Sequence, residues 1–135
     1  MVTPVKDTRA MIQAMAPTRA NGRFIFCTTA DQEQAKRLIS KALASFQEGE
    51  GMSLILPLDL AKTEGFDTTL PMVQITLQVH SALDGVGLTT AVATALADHG
   101  IPCNMVAGYH HDHAFVPEDM ADEALAILTA RAAAS

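Results

Sequence analysis

Apolar and polar positions alternate most regularly in the second half of the chain. Between Met72 and Val79 every second side chain is apolar, which is the pattern of a strand with one covered face. A glycine turn from Asp84 to Gly87 follows, and after it Leu88, Val92 and Leu96 recur at helical spacing. The pattern predicts a strand, a glycine turn and a helix in direct succession.

The same order of elements is predicted twice, after a short helix over residues 7–15. The first half predicts a strand at 23–28, a helix at 31–41, a hairpin of 44–47 with 52–56, and a helix at 57–64. The second half predicts a strand at 73–79, a helix at 87–99, strands at 101–107 and 113–116, and a helix at 117–131. Each half is an α+β unit of the ferredoxin-like α/β plait without its final strand, which the other half or another chain could supply.

Composition and charge restrict the partners of the chain. Its 135 residues are 49% hydrophobic and 18% charged, as in a globular protein. A net charge of −6, without a run of Lys or Arg, argues against a nucleic-acid partner. Apolar runs stay far below the ~20 residues of a membrane span, and we expect no signal peptide because the first residues lack an apolar core segment. Cys27 and Cys103 lie in apolar segments, so we expect reduced thiols and a cytoplasmic protein without membrane contact.

The glycine turn is the strongest candidate for a binding site. A strand that leads through glycines into a helix presents unpaired backbone N–H groups and the positive end of the helix dipole, which suit a carboxylate or phosphate. We expect a ligand carboxylate at the N–H groups of residues 86–88. Thr90 stands where a dinucleotide fingerprint has its third glycine, so the turn does not indicate a nicotinamide cofactor, and we expect no cofactor.

Two polar groups invite a catalytic or metal interpretation. His80, Ser81 and Asp84 resemble a catalytic triad, but residues in one turn rarely reach that geometry, so we expect helix-capping or ligand contacts and no enzyme. The run from His110 to His113 could bind a metal, since alternation along a hairpin places His111 and His113 on one face. The simpler interpretation is a polar hairpin tip without metal. On that interpretation, His111→Ala or His113→Ala should cost little stability.

Asn104 is out of phase with its apolar neighbours Ile101, Cys103 and Met105, so it faces the second side of the sheet. A buried Asn there needs hydrogen-bond partners. We therefore expect it at an interface or in contact with a ligand.

Long segments of the chain resemble a known family. Residues 79–89, 97–101 and 106–117 look like the small standalone bacterial ACT-domain proteins, which are related to the regulatory ACT domains of aspartokinase. Residues 44–57 are similar to the N-terminal half of the same family. The resemblance implies an N-terminal ACT-like half at 1–70 and a C-terminal ACT domain at 71–135, with antiparallel sheets and helices on one face. Pro102 stands where aspartokinase ACT domains often carry an Asn.

The resemblance also implies a function. We expect a non-catalytic regulatory protein, a homodimer, that binds an amino acid or similar effector at the strand–turn–helix loop. The alternatives are a metal-binding protein or small metalloenzyme that uses the run from His110 to His113, and a purely structural module. The expected ligand-binding residues are His80, Ser81, Leu83, Asp84, Val86, Gly87, Leu88, Thr89 and Asn104.

Overall fold

The structure is a computed structural model that describes residues 3–5, 7–80 and 82–134 of the chain. They form two compact units. One, the two-segment unit, contains residues 3–21 and 73–134, and the other, the single-segment unit, contains Gly22–Met72. The predicted division into halves at residue 70 stays a prediction.

The elements follow one another much as the sequence pattern predicts. In chain order they are α1 (Thr8–Gln13), β1 (Thr18–Arg19), β2 (Phe24–Thr29), α2 (Gln32–Ile39), β3 (Ala44–Glu48), β4 (Gly51–Pro57), α3 (Leu58–Thr63), β5 (Met72–Leu77), α4 (Leu88–Ala97), β6 (Asn104–Ala107), β7 (Asp112–Pro117), a 3₁₀ turn (Glu118–Met120) and α5 (Ala121–Ala133). Strand β6 is shorter than predicted, and Pro102, which has no N–H to donate, lies just before it. In the described part of the chain, none of the helices combines the length and the apolar character that a membrane crossing requires.

The two-segment unit contains a strand that the sequence pattern did not predict. Strand β1 pairs antiparallel with β5, with Thr18 opposite Thr76 and Arg19 opposite Ile75. Strand β5 is hydrogen-bonded to β7, and β7 pairs antiparallel with β6. The order β1-β5-β7-β6 therefore supplies the strand that the predicted plait lacked. It comes from the same chain, so a missing strand gives no reason for dimerisation.

The helices of this unit pack against one face of its sheet. Val73, Ile75 and Leu77 of β5 are fully buried together with Val92 and Leu96 of α4. Burying such a side chain contributes about 1.5–3 kcal/mol. Further members of this core come from α1 and the segment just after it, namely Met11, Ile12 and Met15, and from α5, namely Ala121, Ala124 and Leu128. The apolar stripe predicted for the helix after the glycine turn is confirmed, since Leu88, Val92 and Leu96 of α4 are buried.

Strand β5 differs from the predicted strand with one covered face. Met72 and Gln74 are also buried, at 3% and 9% exposure. The amide of Gln74 donates to Nδ1 of His113 at 3.0 Å, so its polar group is satisfied in the interior. Alternation predicted one covered face, whereas side chains on both faces of β5 are buried in the structure.

The single-segment unit has the strand order β3-β4-β2, with both pairs antiparallel. Glu48 and Gly51 pair across a two-residue turn, so the predicted hairpin is confirmed. The unit has its own core, formed by Ile25, Leu38, Leu54, Leu56 and Ala61.

Candidate ligand site

The loop between β5 and α4 is held by the start of the chain. Val5 donates its N–H to the carbonyl of His80 at 2.8 Å and accepts from the N–H of Ala82 at 2.9 Å. The N–H of Gly85 then donates to the carbonyl of Ala82 at 2.9 Å, which closes a tight turn. Ser81, one of the predicted ligand residues, lies outside the described residues.

Helix α4 begins without a capping side chain. Gly87 is at the N-cap in the left-handed region, with φ of 103°, and makes no side-chain cap. The first turn of α4 also lacks an acidic residue. The first N–H groups of a helix have no partner inside the helix, so this end keeps its positive partial charge for a ligand or water. The predicted strand–glycine–helix arrangement is confirmed.

A small hollow lies at this helix end. Its volume is about 170 Å³, and we call it the loop hollow; it is lined by Met11, Ala82, Leu83, Gly85, Gly87, Leu88, Thr89, Ala107 and Asp112. The structure thus brings together four of the predicted residues, Leu83, Gly87, Leu88 and Thr89. It adds Asp112, the first residue of β7, which sequence reasoning considered only for a metal. No local signal ties Asp112 to a turn some 25 positions earlier, because only the pairing of β7 with β5 brings them together.

Other predicted residues line a neighbouring hollow of about 340 Å³, which we call the ring hollow. Its lining residues are Thr3, Pro4, His80, Ala82, Leu83, Asp84 and Tyr109. The ring of His110 lies 5.1 Å from the ring of His80 and 5.1 Å from that of Tyr109. His80 and Asp84 therefore face an aromatic environment beside the loop hollow, and the two hollows share Ala82 and Leu83.

The last two predicted residues line neither hollow. Val86 is 75% exposed at the tip of the loop. Asn104 is exposed, and its contact with an interface or a ligand stays a prediction. The reason for its exposure is topological: β6 is the outermost strand of its sheet, and Asn104 is its first residue.

The histidines of the β6–β7 hairpin have separate partners. Nδ1 of His113 lies 3.0 Å from the amide nitrogen of Gln74 and 3.0 Å from the hydroxyl of Thr76. Nδ1 of His111 faces the carbonyl of Val79 at 3.4 Å instead. Within the described ranges, no group of three or more His, Cys, Asp or Glu side chains is arranged to hold a metal ion. The metal alternative gains no support from this geometry.

Burial lowers the pKa of His113 below 6.5. The charge of His111 lowers that pKa further, and Asp112 opposes the shift. Because the amide nitrogen of Gln74 can only donate, Nδ1 of His113 accepts and its proton resides on Nε2. The contact suits the neutral imidazole, in agreement with the direction of the pKa shift.

Family models match nearly the whole chain. Residues 3–72 and residues 70–130 each match a model described as an ACT domain. The chain belongs to the ACT-domain family. Its two domains are in tandem, and the ferredoxin-like α+β fold predicted from the sequence is confirmed.

Solved structures agree with the family. A Vibrio cholerae protein of unknown function, described as a possible transport protein, is 41% identical with a TM-score of 0.78, over 87% of this chain and 89% of that one. An Agrobacterium tumefaciens protein is 16% identical, with a TM-score of 0.65 over 86% and 87%. The regulatory subunit of aspartate kinase from Thermus flavus is 9% identical, with a TM-score of 0.60 over 85% and 95%.

The similarity to the Agrobacterium tumefaciens and Thermus flavus structures, at 16% and 9% identity, shows the fold alone. A search of curated proteins gives no match. The matching families indicate a regulatory role of the ACT type and none of them is catalytic.

Proposed function

We propose that this ACT-domain protein is a non-catalytic regulator that binds a small amino acid in the loop hollow. One observation carries the proposal: the uncapped start of α4 and the acidic residue Asp112 line the same small space. An amino acid carries a carboxylate and an ammonium group close together. Its carboxylate would accept from the N–H groups at the start of α4, and its ammonium group would donate to Asp112.

The volume of the hollow limits the side chain of the ligand. About 170 Å³ is well below the roughly 300–1,000 Å³ of pockets for drug-sized molecules. Met11 and Leu83 contribute apolar side chains to the lining, and Thr89 contributes a side chain that can form a hydrogen bond. These features favour a small amino acid over a large aromatic one.

The regulatory part of the proposal rests on the family and on exposed apolar side chains. Leu83, Val86 and Tyr109 are 72%, 75% and 71% exposed beside the site. We propose that a second copy of the chain covers them in a homodimer, so that ligand binding and assembly are coupled. The unpaired thiols of Cys27 and Cys103 accord with a reducing compartment such as the cytoplasm.

Calorimetric titration with the small amino acids tests the site. We expect at least one to bind, and Asp112→Asn to weaken its binding by roughly 10-fold or more, as expected for a hydrogen bond between charged groups. The control is Asp98→Asn, an exposed carboxylate at the end of α4 that lines neither hollow. It should leave affinity unchanged.

The N-acetyl derivative of the same amino acid identifies the partner of Asp112. Acetylation removes the ammonium charge, so the derivative should bind wild type weakly and lose nothing further in Asp112→Asn. If no small amino acid binds, or if Asp112→Asn binds as tightly as wild type with its fold intact, the proposal is wrong.

A further inference from the structure

Helix α1 reaches both glycines of the turn that forms the loop hollow. Thr8 lies against Gly87, where a Cβ would come within 2.6 Å of the Cγ2 atom of Thr8. Nearly one helical turn later, Met11 lies against Gly85, where a Cβ would come within 3.2 Å of Sδ and 3.4 Å of Cε of Met11. Residues three positions apart share one face of a helix, so a single face of α1 contacts the loop.

The end of the Met11 side chain forms part of the wall of the loop hollow. Met11 lines the hollow, and its atoms nearest to Gly85 are the sulfur and the terminal methyl group. The residue is 1% exposed, so this end is enclosed by the protein. Methionine is unbranched and flexible, and it fills irregular spaces in protein cores. The sulfur and the methyl group of Met11 therefore occupy space into which a ligand side chain would otherwise extend.

Most other lining residues are poorly suited to limit the size of a ligand. Four of them have no side chain larger than a methyl group, namely Ala82, Gly85, Gly87 and Ala107. Leu83 is 72% exposed, so its side chain lies mostly in solvent. Met11 and Leu88 are the long apolar side chains of the lining that are buried, at 1% and 4% exposure. Leu88 belongs to α4 itself, whereas Met11 comes from a distant part of the chain.

We propose that Met11 determines the size of the ligand in the loop hollow, and that it excludes amino acids with a large aliphatic side chain such as leucine. The inference rests on the proposed amino-acid site and adds its selectivity. Every amino acid would make the same contacts through its carboxylate and ammonium groups with the start of α4 and with Asp112. Selectivity therefore depends on the apolar wall, where a single methylene group changes discrimination by roughly 10- to 200-fold.

Calorimetric titration of the full-length protein tests the inference, with glycine, alanine and serine as small probes and leucine as the large one. Met11→Ala removes the sulfur and the terminal methyl group and leaves a buried apolar space that can accept an apolar group. We expect wild type to bind a small probe more tightly than leucine. Met11→Ala should reduce the ratio of these two affinities by roughly 10-fold or more.

Met15→Ala is the matched control for this truncation. Met15 is fully buried in the same core as Met11, but it lines neither the loop hollow nor the ring hollow. The control removes the same atoms from the same core, so it should leave the ratio of affinities unchanged. Thermal unfolding checks that both variants are folded.

A second measurement does not depend on truncating a core residue. Methyl-labelled methionine gives NMR signals for the seven methionines of the chain, and Met11→Leu, a substitution of similar volume, identifies the signal of Met11 by its loss. In wild type, the small probe that binds should shift the methyl signal of Met11. The methyl signal of Met15, identified in the same way, should stay unshifted.

The inference is overturned if wild type binds leucine as tightly as the small probes, or if folded Met11→Ala keeps the wild-type ratio of affinities. It is also overturned if Met15→Ala changes that ratio as much, or if the bound probe leaves the methyl signal of Met11 unshifted. In these cases a small amino acid still binds wild type, so the proposed function stands. If Met11→Ala does not fold, the methyl signal in wild type decides. If no probe binds wild type, the proposed function and this inference fail together.

Discussion

The hydroxyl of Thr8 donates a hydrogen bond to the carbonyl oxygen of Val86 and so ties helix α1 to the loop before α4. The neighbouring Gly87 has no side chain, and a Cβ there would lie 2.6 Å from Cγ2 of Thr8. The loop hollow therefore owes its shape to α1, which also contributes Met11 to its lining.

Replacing Thr8 by Val keeps the shape and removes the hydrogen bond. We expect a loss of about 0.5–1.5 kcal/mol in the free energy of unfolding, at the lower end because the bond is exposed. Chemical denaturation measures it. Thr94→Val, an exposed threonine in α4, is the control and should change stability less. Equal effects of the two variants would show that the bond to Val86 is not stabilising.

Gly87→Ala should destabilise the fold more than an ordinary glycine substitution. The residue has φ of 103°, and the added Cβ meets Thr8, whereas Gly100, with φ of 70°, has nothing within 4 Å of its Cβ position. Backbone strain of about 1–3 kcal/mol applies to both residues, but only Gly87→Ala adds the clash.

Adding Thr8→Ala should remove part of that extra cost, and thermal unfolding of the three variants tests this. Because the Cβ of residue 87 points at Thr8, loss of ligand binding in a Gly87 variant would report mainly on loop disruption. If Gly87→Ala and Gly100→Ala are equally destabilised, the close approach to Thr8 has no energetic weight.

His113→Ala should cost about 1–3 kcal/mol, because it leaves Gln74, 9% exposed, without its partner. The sequence alone suggested little effect. His110→Ala is a control from the same hairpin, since His110 is exposed. Denaturant unfolding compares the two variants, and a His113→Ala protein as stable as His110→Ala would contradict the importance of the bond to Gln74.

The lowered pKa of His113 gives a pH dependence with a definite sign. The folded state favours neutral His113, whereas in the unfolded chain it takes up a proton near pH 6.5. This stabilisation is therefore fully present above pH 6.5 and is lost as the pH falls from 6.5 through the folded pKa. An NMR titration should place the imidazole transition of His113 below 6.5. A transition above pH 6.5 would reverse the sign of the predicted pH dependence of stability.

The proposed homodimer predicts that replacing an exposed apolar residue of the loop changes the oligomeric state. Light scattering on the eluting protein should give the mass of a dimer, and Val86→Ser should shift the protein towards monomer because Val86, at 75% exposure, would be covered in the dimer. Leu70→Ser, at a similarly exposed leucine of 61%, is the control. A wild-type monomer at micromolar concentration would contradict the proposed assembly.

The sequence by itself determined the local elements and the family. Alternation predicted β5, helical spacing predicted the buried face of α4, and the helix predicted at 31–41 contains α2. These features depend on neighbours within a few positions, so composition and periodicity specify them. The glycine turn was recognisable for the same reason.

Only the tertiary structure decided which distant residues meet. Strand β1 has just two residues, too few for a periodic pattern, and it is a strand because the edge of β5 offers partners for Thr18 and Arg19. Asp112 joined the loop hollow, and Asn104 did not, because their places depend on strand order. Contacts across many positions arise from pairing and packing of whole elements, which the local pattern of a chain does not encode.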